Sequence, residues 1–226
     1  MKTYLDKNVY EAALERIAYC FQEFDNVLVA FSGGKDSGVL LNLCYNYADE
    51  HGLLDKLTMY HLDYEAQYQM TTEYVTRTFL EQFPGIRKMW YCVPIKAQSA
   101  CALGEPYWTP WDAAKKKLWV RAMPENPYVV HEGNLDVPFR HGMVDYEFQD
   151  KLSRHFAKKR GTTAVMVGLR ADESLNRYAA VARGKKRRSY EGRKWITQTS
   201  AVTANVYPLY DWRVSDIWTA TARFGF

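Results

Sequence analysis

A glycine-rich turn between a strand-like run and a helix-like pattern constrains this chain more than any other feature. The β-prone run covers residues 27–31, and the turn that follows reads Ser32, Gly33, Gly34, Lys35, Asp36, Ser37. This order places backbone N–H groups at the carboxyl end of a strand and at the positive N-terminus of a helix, and both attract anions. The turn therefore predicts an α/β fold with a phosphate site at residues 32–37.

The residue types in the turn fit this chemistry. Gly33 and Gly34 let the backbone approach a phosphate closely, the two serines add hydroxyl groups, Lys35 adds a positive charge, and Asp36 offers a carboxylate for Mg²⁺. The spacing matches neither a Walker A loop nor the dinucleotide fingerprint G-x-G-x-x-G. A tight turn that binds nothing is the alternative interpretation.

The hydrophobic pattern alternates between strands and helices along the chain. It predicts a doubly wound, mostly parallel sheet with helices on both faces, in a single nucleotide-binding domain over residues 1–226. Strands are predicted at 26–31, 57–62, 88–93, 163–167 and 205–207, and helices at 9–24, 37–50, 70–83, 147–160 and from about 215. Ligands bind beyond the carboxyl ends of such strands, here Ser32, Asp63, Pro94 and Gly168.

Residues 94–146 interrupt the alternation. They contain three tryptophans and six prolines, which indicates an irregular, partly helical insertion near the rim of the site. Its tryptophans either pack within the insertion or stack on a base.

Charge and cysteine usage narrow the class of protein. The formal net charge is only +4, yet residues 183–194 hold seven Lys or Arg residues and one glutamate, which indicates a local anionic partner.

The four cysteines form no C-x-x-C pair, so we expect neither zinc nor a disulfide framework. No apolar run approaches the roughly 20 residues of a membrane span, and the first residues do not resemble a signal peptide. A cytoplasmic location without membrane contact is expected.

The basic run has three interpretations. Lys185, Lys186, Arg187 and Arg188 form a lid over the nucleotide phosphates, or a tether for nucleic acid, or a solvated loop. Nearby, Tyr190 and Trp195 are candidates for stacking on a base.

Four ordered segments carry a resemblance to a known family. They are S-G-G-K-D-S at 32–37, H-L-D-Y-E at 61–65, G-L-R-A-D-E-S at 168–174 with Arg177 beyond it, and P-L-Y-D-W-R-V-S-D-I-W at 208–218. The first resembles the pyrophosphate loop of ATP pyrophosphatases (adenine nucleotide α-hydrolase-like proteins). Together they resemble the phosphoadenylylsulfate (PAPS) reductase family.

The resemblance implies an adenine-nucleotide site that includes Gly168, Arg170 and Arg177. Arg170 follows a strand end, where a guanidinium can bind phosphate or sulfate oxygens in a bidentate manner, and we expect Lys35 and Arg170 to be catalytic. Asp63 either accepts from a ribose hydroxyl or an adenine amine, or caps its strand.

Departures from the family pattern shift the expected reaction. No cysteine follows Cys101, so the C-terminal E-C-G-[IL]-H segment of the reductases is absent, as are paired cysteines for an iron–sulfur cluster. The family's Asp-Thr-Gly has become Asp63, Tyr64 and Glu65. We therefore expect action at the α-phosphorus of ATP with Mg²⁺. The alternatives are a PAPS or adenylylsulfate reductase that uses a cysteine supplied elsewhere, and a nucleotide sensor for a protein or DNA partner.

The tryptophan-rich insertion and the basic run resemble one subgroup of the family in particular. It comprises phage and enterobacterial proteins similar to immunoglobulin-binding regulator A, a resemblance that implies a ParB-like partner. A homodimer is a further expectation. The chain ends soon after its last family segment, so we also expect a C-terminus shortened relative to the family.

Overall fold

The structure, a computed structural model, describes residues 6–99, 104–182 and 189–226. The helices are α1 (Val9–Glu23), α2 (Lys35–Glu50), α3 (Gln69–Glu81), α4 (Asp145–Arg160), α5 (Leu175–Ala182) and α6 (Val214–Phe224). The strands are β1 (Asn26–Ala30), β2 (Leu57–Leu62), β3 (Arg87–Cys92), β4 (Ala97–Gln98), β5 (Tyr107–Trp108), β6 (Val129–His131), β7 (Thr163–Val167), β8 (Ser189–Tyr190), β9 (Arg193–Gln198) and β10 (Thr203–Val206). Short 3-10 turns cover Leu54–Lys56 and Ala113–Leu118.

One eight-stranded sheet organises these elements, in the order β6-β3-β2-β1-β7-β10-β9-β8. The six strands from β6 to β10 are parallel, whereas β9 and β8 continue the sheet in antiparallel pairing. β4 and β5 form a separate antiparallel pair.

Both faces of the central strands are covered, which explains why β1, β2 and β7 are almost completely buried and mostly apolar. Val27 and Val29 pack on one face with residues of α1, α2, α3 and α6. Leu28 packs on the other face against α4, through residues such as Phe148. All six residues of β2 are buried. The predicted doubly wound α/β fold is confirmed.

The helix signals in the sequence are also confirmed at α1. The Asn8 side chain accepts from the Glu11 N–H at 3.0 Å, and the Glu11 carboxylate accepts from the Asn8 N–H at 3.3 Å. This reciprocal capping box fixes the first turn of the helix. The N-cap of α2 is different, because Gly34 supplies no side-chain cap.

Two parts of the sheet were missed from the sequence. Residues 94–146 are mostly irregular, as expected, but they contribute β6, which pairs with β3 at one edge. Residues 189–198, at the end of the predicted basic run, form the β8–β9 hairpin at the other edge. β6 has only three residues and gives little periodic signal. Within the described ranges, no helix has the length and apolar character needed to cross a bilayer.

Candidate functional site

A crevice of about 350 Å³ lies at the carboxyl ends of β1, β2 and β7. Parallel α/β sheets bind ligands at this edge. Six of the predicted contacts line the crevice: Ser32, Gly34, Asp36, Ser37, Gly168 and Arg177. The structure therefore brings residues from two distant segments of the chain into one site.

The two serines fold the loop onto itself. Their hydroxyl oxygens lie 3.0 Å apart, and Ser37 Oγ also donates to the Gly34 carbonyl at 2.9 Å. The Gly34 N–H donates to Ser32 Oγ at 3.3 Å. These bonds shape the loop, while the first N–H groups of α2 lack a capping side chain and are left to bind an anion.

Two glycines are required by close packing. Gly33 has a φ of +80°, and a Cβ there would lie 2.7 Å from Val75 Cγ2 of α3. A Cβ on Gly168 would lie 3.0 Å from the Asp36 carbonyl oxygen and the Ser37 nitrogen. Gly33 thus lets the loop pack against α3, and Gly168 lets the end of β7 approach the first turn of α2. Gly34 is the loop glycine that lines the crevice.

Arg170 does not have the role expected of it. Its guanidinium is buried and faces three carboxylates: Asp36 at 2.6 Å, Asp172 at 2.5 Å and Glu173 at 3.7 Å. A guanidinium held in this way has no free edge for a bidentate phosphate contact. The prediction that Arg170 is catalytic and binds the nucleotide directly is corrected: it positions the phosphate loop through Asp36.

Two other cations remain accessible to a ligand. The Lys35 side chain is 34% exposed and lies 3.0 Å from Asp36 Oδ2. The Arg177 side chain is 47% exposed and contacts Glu173 at 3.5 Å. Either side chain can turn towards a phosphate by giving up a partly exposed ion pair, which costs little.

Asp36 is paired with two cations. One carboxylate oxygen accepts from Arg170 and the other from Lys35, so a magnesium ion could reach Asp36 only when Lys35 turns away, and the magnesium role stays a prediction. In the part of the chain that the structure describes, no cluster of three or more His, Cys, Asp or Glu residues could hold a metal.

Asp63 is a strand-end cap, the second of its two interpretations. Its carboxylate is fully buried and accepts from Trp90 Nε1 at 2.8 Å, the Glu65 N–H at 2.7 Å and Arg121 at 2.5 Å. With three donors on it, Asp63 is not available to a ribose or an adenine, and that assignment is corrected.

Glu65 was overlooked as a structural residue. It has a φ of +64°, a conformation that favours glycine, and its buried carboxylate accepts from the N–H groups of Trp111 and Val120 at 2.9 Å each. The carboxylate thereby fastens the insertion to the end of β2. The replacement of a glycine by Glu65 in the family pattern was the available signal.

Other residues that line the crevice were also missed, four of them on or near β2 and α4. Tyr60 and Leu62 belong to β2, Tyr64 follows it, and Gln149 lies on α4. Tyr60 donates to Gln149 at 3.0 Å, and Tyr64 donates to Asp145 at 3.0 Å. Leu62 and Tyr64 could have been found from their place at a strand end, whereas nothing in the sequence pointed to Gln149.

The basic run is only partly visible in the structure. Lys185, Lys186, Arg187 and Arg188, the predicted lid, lie outside the described residues. The aromatic residues near them pack on α1, because Tyr190 contacts Phe24 at 5.4 Å and Trp195 contacts Tyr19 at 5.8 Å between ring centroids. Both side chains are half-buried, and the expectation that they stack on a base stays a prediction.

Among solved structures, the chain has distant counterparts. A PAPS reductase from Candida auris in a phosphate complex is 14% identical with a TM-score of 0.49, covering 99% of this chain and 89% of that one. FMN adenylyltransferase of Candida glabrata with FMN and an ATP analogue is 13% identical with a TM-score of 0.49, covering 97% and 60%. TM-scores below 0.5 mark a remote likeness.

Sequence comparison gives a stronger result. Uncharacterized protein YbdN of Escherichia coli (strain K12) is 34% identical over 218 residues, 95% of this chain and 52% of that protein. The chain thus spans about half the length of this relative. A family model described as "Phosphoadenosine phosphosulfate reductase domain" matches residues 26–224. With the match extending from β1 to the last turn of α6, the chain belongs to the phosphoadenosine phosphosulfate reductase domain family.

Proposed function

We propose that the crevice binds an adenine nucleotide and that the protein acts at the α-phosphorus of ATP, with release of pyrophosphate or transfer of the adenylyl group. One observation carries the proposal: the loop at residues 32–37 presents the uncapped N-terminus of α2 to a crevice at the carboxyl edge of the sheet. Such an edge favours a polyanionic ligand.

The walls of the crevice suggest how the nucleotide lies. Phosphates fit at the loop, within reach of Lys35 and Arg177. The apolar surfaces of Ala30 and Leu62 and the ring of Tyr64 line the rest of the crevice and suit a flat base.

The chemistry we propose is electrostatic. Water or an acceptor nucleophile forms the new bond to the α-phosphorus as the bond to the leaving pyrophosphate breaks. Negative charge then grows on the pyrophosphate, and the α2 N–H groups, Lys35 and Arg177 stabilise it. Arg170 keeps the loop in place through Asp36. Magnesium bound by the nucleotide stays a prediction, since Asp36 is already paired with two cations.

A reductase reaction is the less favoured alternative. Cys92 is 1% exposed, burial raises the pKa of its thiol, and its Sγ lies 3.9 Å from Asp63. Cys92 is therefore a poor nucleophile, and Cys101 lies outside the described residues. A reductase would need a thiol from another segment or another protein.

The remaining expectations stay predictions. They are the nucleotide-sensor role, the immunoglobulin-binding regulator A-like subgroup, the ParB-like partner, nucleic-acid binding by the basic run, the homodimer, the cytoplasmic location and the single-domain organisation.

Calorimetric titration with ATP and with PAPS tests the proposal. We expect binding of ATP that Lys35→Ala weakens at least tenfold, while Lys158→Ala, an exposed lysine in the last turn of α4, leaves it unchanged. Assays for pyrophosphate from ATP and for sulfite from PAPS with thioredoxin then separate the reactions. Sulfite without pyrophosphate would favour the reductase, and tight binding without either product would favour the sensor. Absence of nucleotide binding would contradict the whole proposal.

A further inference from the structure

A second, larger cavity of about 530 Å³ lies beside the edge strand β6. The segment from Lys116 to Pro127 forms one side, and Val129, His131 and Asn134 form the other. This cavity shares no lining residue with the crevice at the phosphate loop. Trp119, one of the three insertion tryptophans considered in the sequence, belongs to it.

Trp119 supplies a fixed aromatic surface to this cavity. Its Nε1 donates to the Asp112 carbonyl at 3.1 Å, and its ring meets Trp111 edge to face at 5.1 Å. Trp111 is in turn held by the Glu65 carboxylate. An indole fixed in this way, lining a cavity together with Met123 and Pro124, suits a planar ring stacked on it.

Positive charge lies next to the indole. Lys116 Nζ is 5.7 Å from the centre of the Trp119 ring. Lys115 and Lys117 flank it in the same exposed 3-10 turn. A ligand whose ring stacks on Trp119 would therefore have lysine side chains at one side. These lysines could pair with an anionic group attached to the ligand ring.

The polar lining can pair with the edge of a base. His131 Nδ1 accepts from the Gly133 N–H at 3.0 Å, so a neutral ring carries its proton on Nε2 and donates from there. Asn126 Oδ1 accepts from the Tyr128 N–H at 3.0 Å, which leaves its amide nitrogen as a donor. Glu125 adds an acceptor to the lining.

An extended peptide does not fit the strand edge. The Asn134 side chain donates to the Val129 carbonyl at 3.2 Å and accepts from the His131 N–H at 2.7 Å. The Asn134 N–H donates to the His131 carbonyl at 3.0 Å. These bonds occupy the outward edge of β6, so it cannot pair with an added strand.

We propose that the cavity beside β6 is a second binding site for a nucleotide unit, with the base stacked on Trp119 and the phosphate on Lys116 and its neighbours. Residues 63–65 lie between this cavity and the crevice. Tyr64 lines the crevice, and the Glu65 carboxylate accepts from the N–H of Val120, the residue after Trp119. The same chemistry is offered by a free mononucleotide and by a nucleotide within a single strand.

Two probes distinguish these sources: AMP, and a fluorescein-labelled single-stranded oligonucleotide of eight residues. Trp119→Leu is expected to weaken binding about fivefold or more, since base stacking on an aromatic ring contributes on that scale. Lys116→Gln, an exposed change that leaves the fold intact, is expected to weaken binding and to reduce the oligonucleotide salt slope by up to about 0.7. Trp218→Leu, at an exposed tryptophan of α6, is the matched control, and Lys35→Ala reports on the crevice.

Each outcome decides the proposal. Binding that remains in Lys35→Ala, where the crevice is weakened, and that falls in the Trp119 and Lys116 variants but not in Trp218→Leu supports it; response to AMP indicates a free nucleotide, and response to the oligonucleotide alone indicates a strand. Binding of neither probe overturns the proposal. So does binding that depends on Lys35 alone, or that Trp218→Leu weakens as much as Trp119→Leu does.

Discussion

Arg170 Nε lies 2.6 Å from Asp36 Oδ1, and this ion pair joins two segments 134 residues apart in the chain. Asp36 belongs to the first turn of α2, and Arg170 follows β7. Both side chains are largely buried, with 5% and 13% exposure. The contact fixes the phosphate loop to the neighbouring strand end, so the loop geometry depends on a residue that does not itself face the crevice.

Removing Arg170 should therefore destabilise the protein as well as weaken nucleotide binding. We expect Arg170→Ala to lower the free energy of unfolding by about 3 kcal/mol, because Asp36 loses its buried partner. Urea denaturation measures this loss. Arg154→Ala breaks an exposed i,i+4 pair with Asp150 and should cost less than about 1 kcal/mol. Equal effects of the two changes would contradict the positioning role.

Gly33 should tolerate no side chain. Its φ of +80° is strained for alanine, and the added Cβ would lie 2.7 Å from Val75. We expect Gly33→Ala to cost about 1–3 kcal/mol of stability and to weaken ATP binding, with only partial recovery in Gly33→Ala/Val75→Ala because the backbone strain persists. The control for thermal melting is Gly104→Ala, because a Cβ built at Gly104 has no neighbouring atom within 4 Å. A Gly33 variant as stable as this control would refute the argument.

Glu65 should control the order of the insertion. In Glu65→Gln the new amide can accept only at its oxygen, so one of the N–H groups of Trp111 and Val120 loses its partner. We expect a loss of about 1–2 kcal/mol and faster hydrogen exchange at both amides. Glu73→Gln, at an exposed position of α3, should change neither. Unchanged exchange at Trp111 and Val120 would show that the insertion is held by other contacts.

His61 should make stability depend on pH. Burial lowers the pKa of this imidazole below its usual value of about 6.5, and its Nδ1 hydrogen-bonds the Phe31 carbonyl at 2.8 Å. The unfolded chain therefore binds more protons than the folded one as pH falls below about 6.5, so the free energy of unfolding decreases there, by at most about 1.4 kcal/mol per pH unit.

Urea denaturation of the wild type and of His61→Asn between pH 5 and 7.5 checks this dependence. Asparagine retains a donor for the Phe31 carbonyl but does not titrate, so the variant should show a shallower slope. His51→Asn, at an exposed histidine, should keep the wild-type slope. Identical slopes in all three proteins would argue against the buried neutral imidazole.

The described cysteines should resist alkylation in the native protein. Cys20, Cys44 and Cys92 are buried, and burial raises the pKa of each thiol. Because the thiolate is the reactive form, we expect iodoacetamide to label these three only after denaturation, as read by mass spectrometry. Native labelling of Cys92 at the rate seen in urea would restore it as a candidate nucleophile.

The amino-acid sequence by itself determined the fold class and the loop at the sheet edge where the candidate site lies. Parallel strands covered on both faces must be apolar along their length, so β2 and β7 could be predicted with their observed bounds. The turn at residues 32–37 could likewise be predicted from the sequence, because only glycine adopts the φ of Gly33 without strain beside a helix N-terminus.

Only the tertiary structure decided which charges face a ligand. Sequence reasoning assigned Arg170 and Asp63 to the nucleotide, yet Arg170 is paired with Asp36, and Asp63 with Trp90 and Arg121. Whether a buried charge is neutralised depends on partners brought close by folding, many residues away. Strand β6 was decided in the same way, because so short a strand exists only through its pairing with β3.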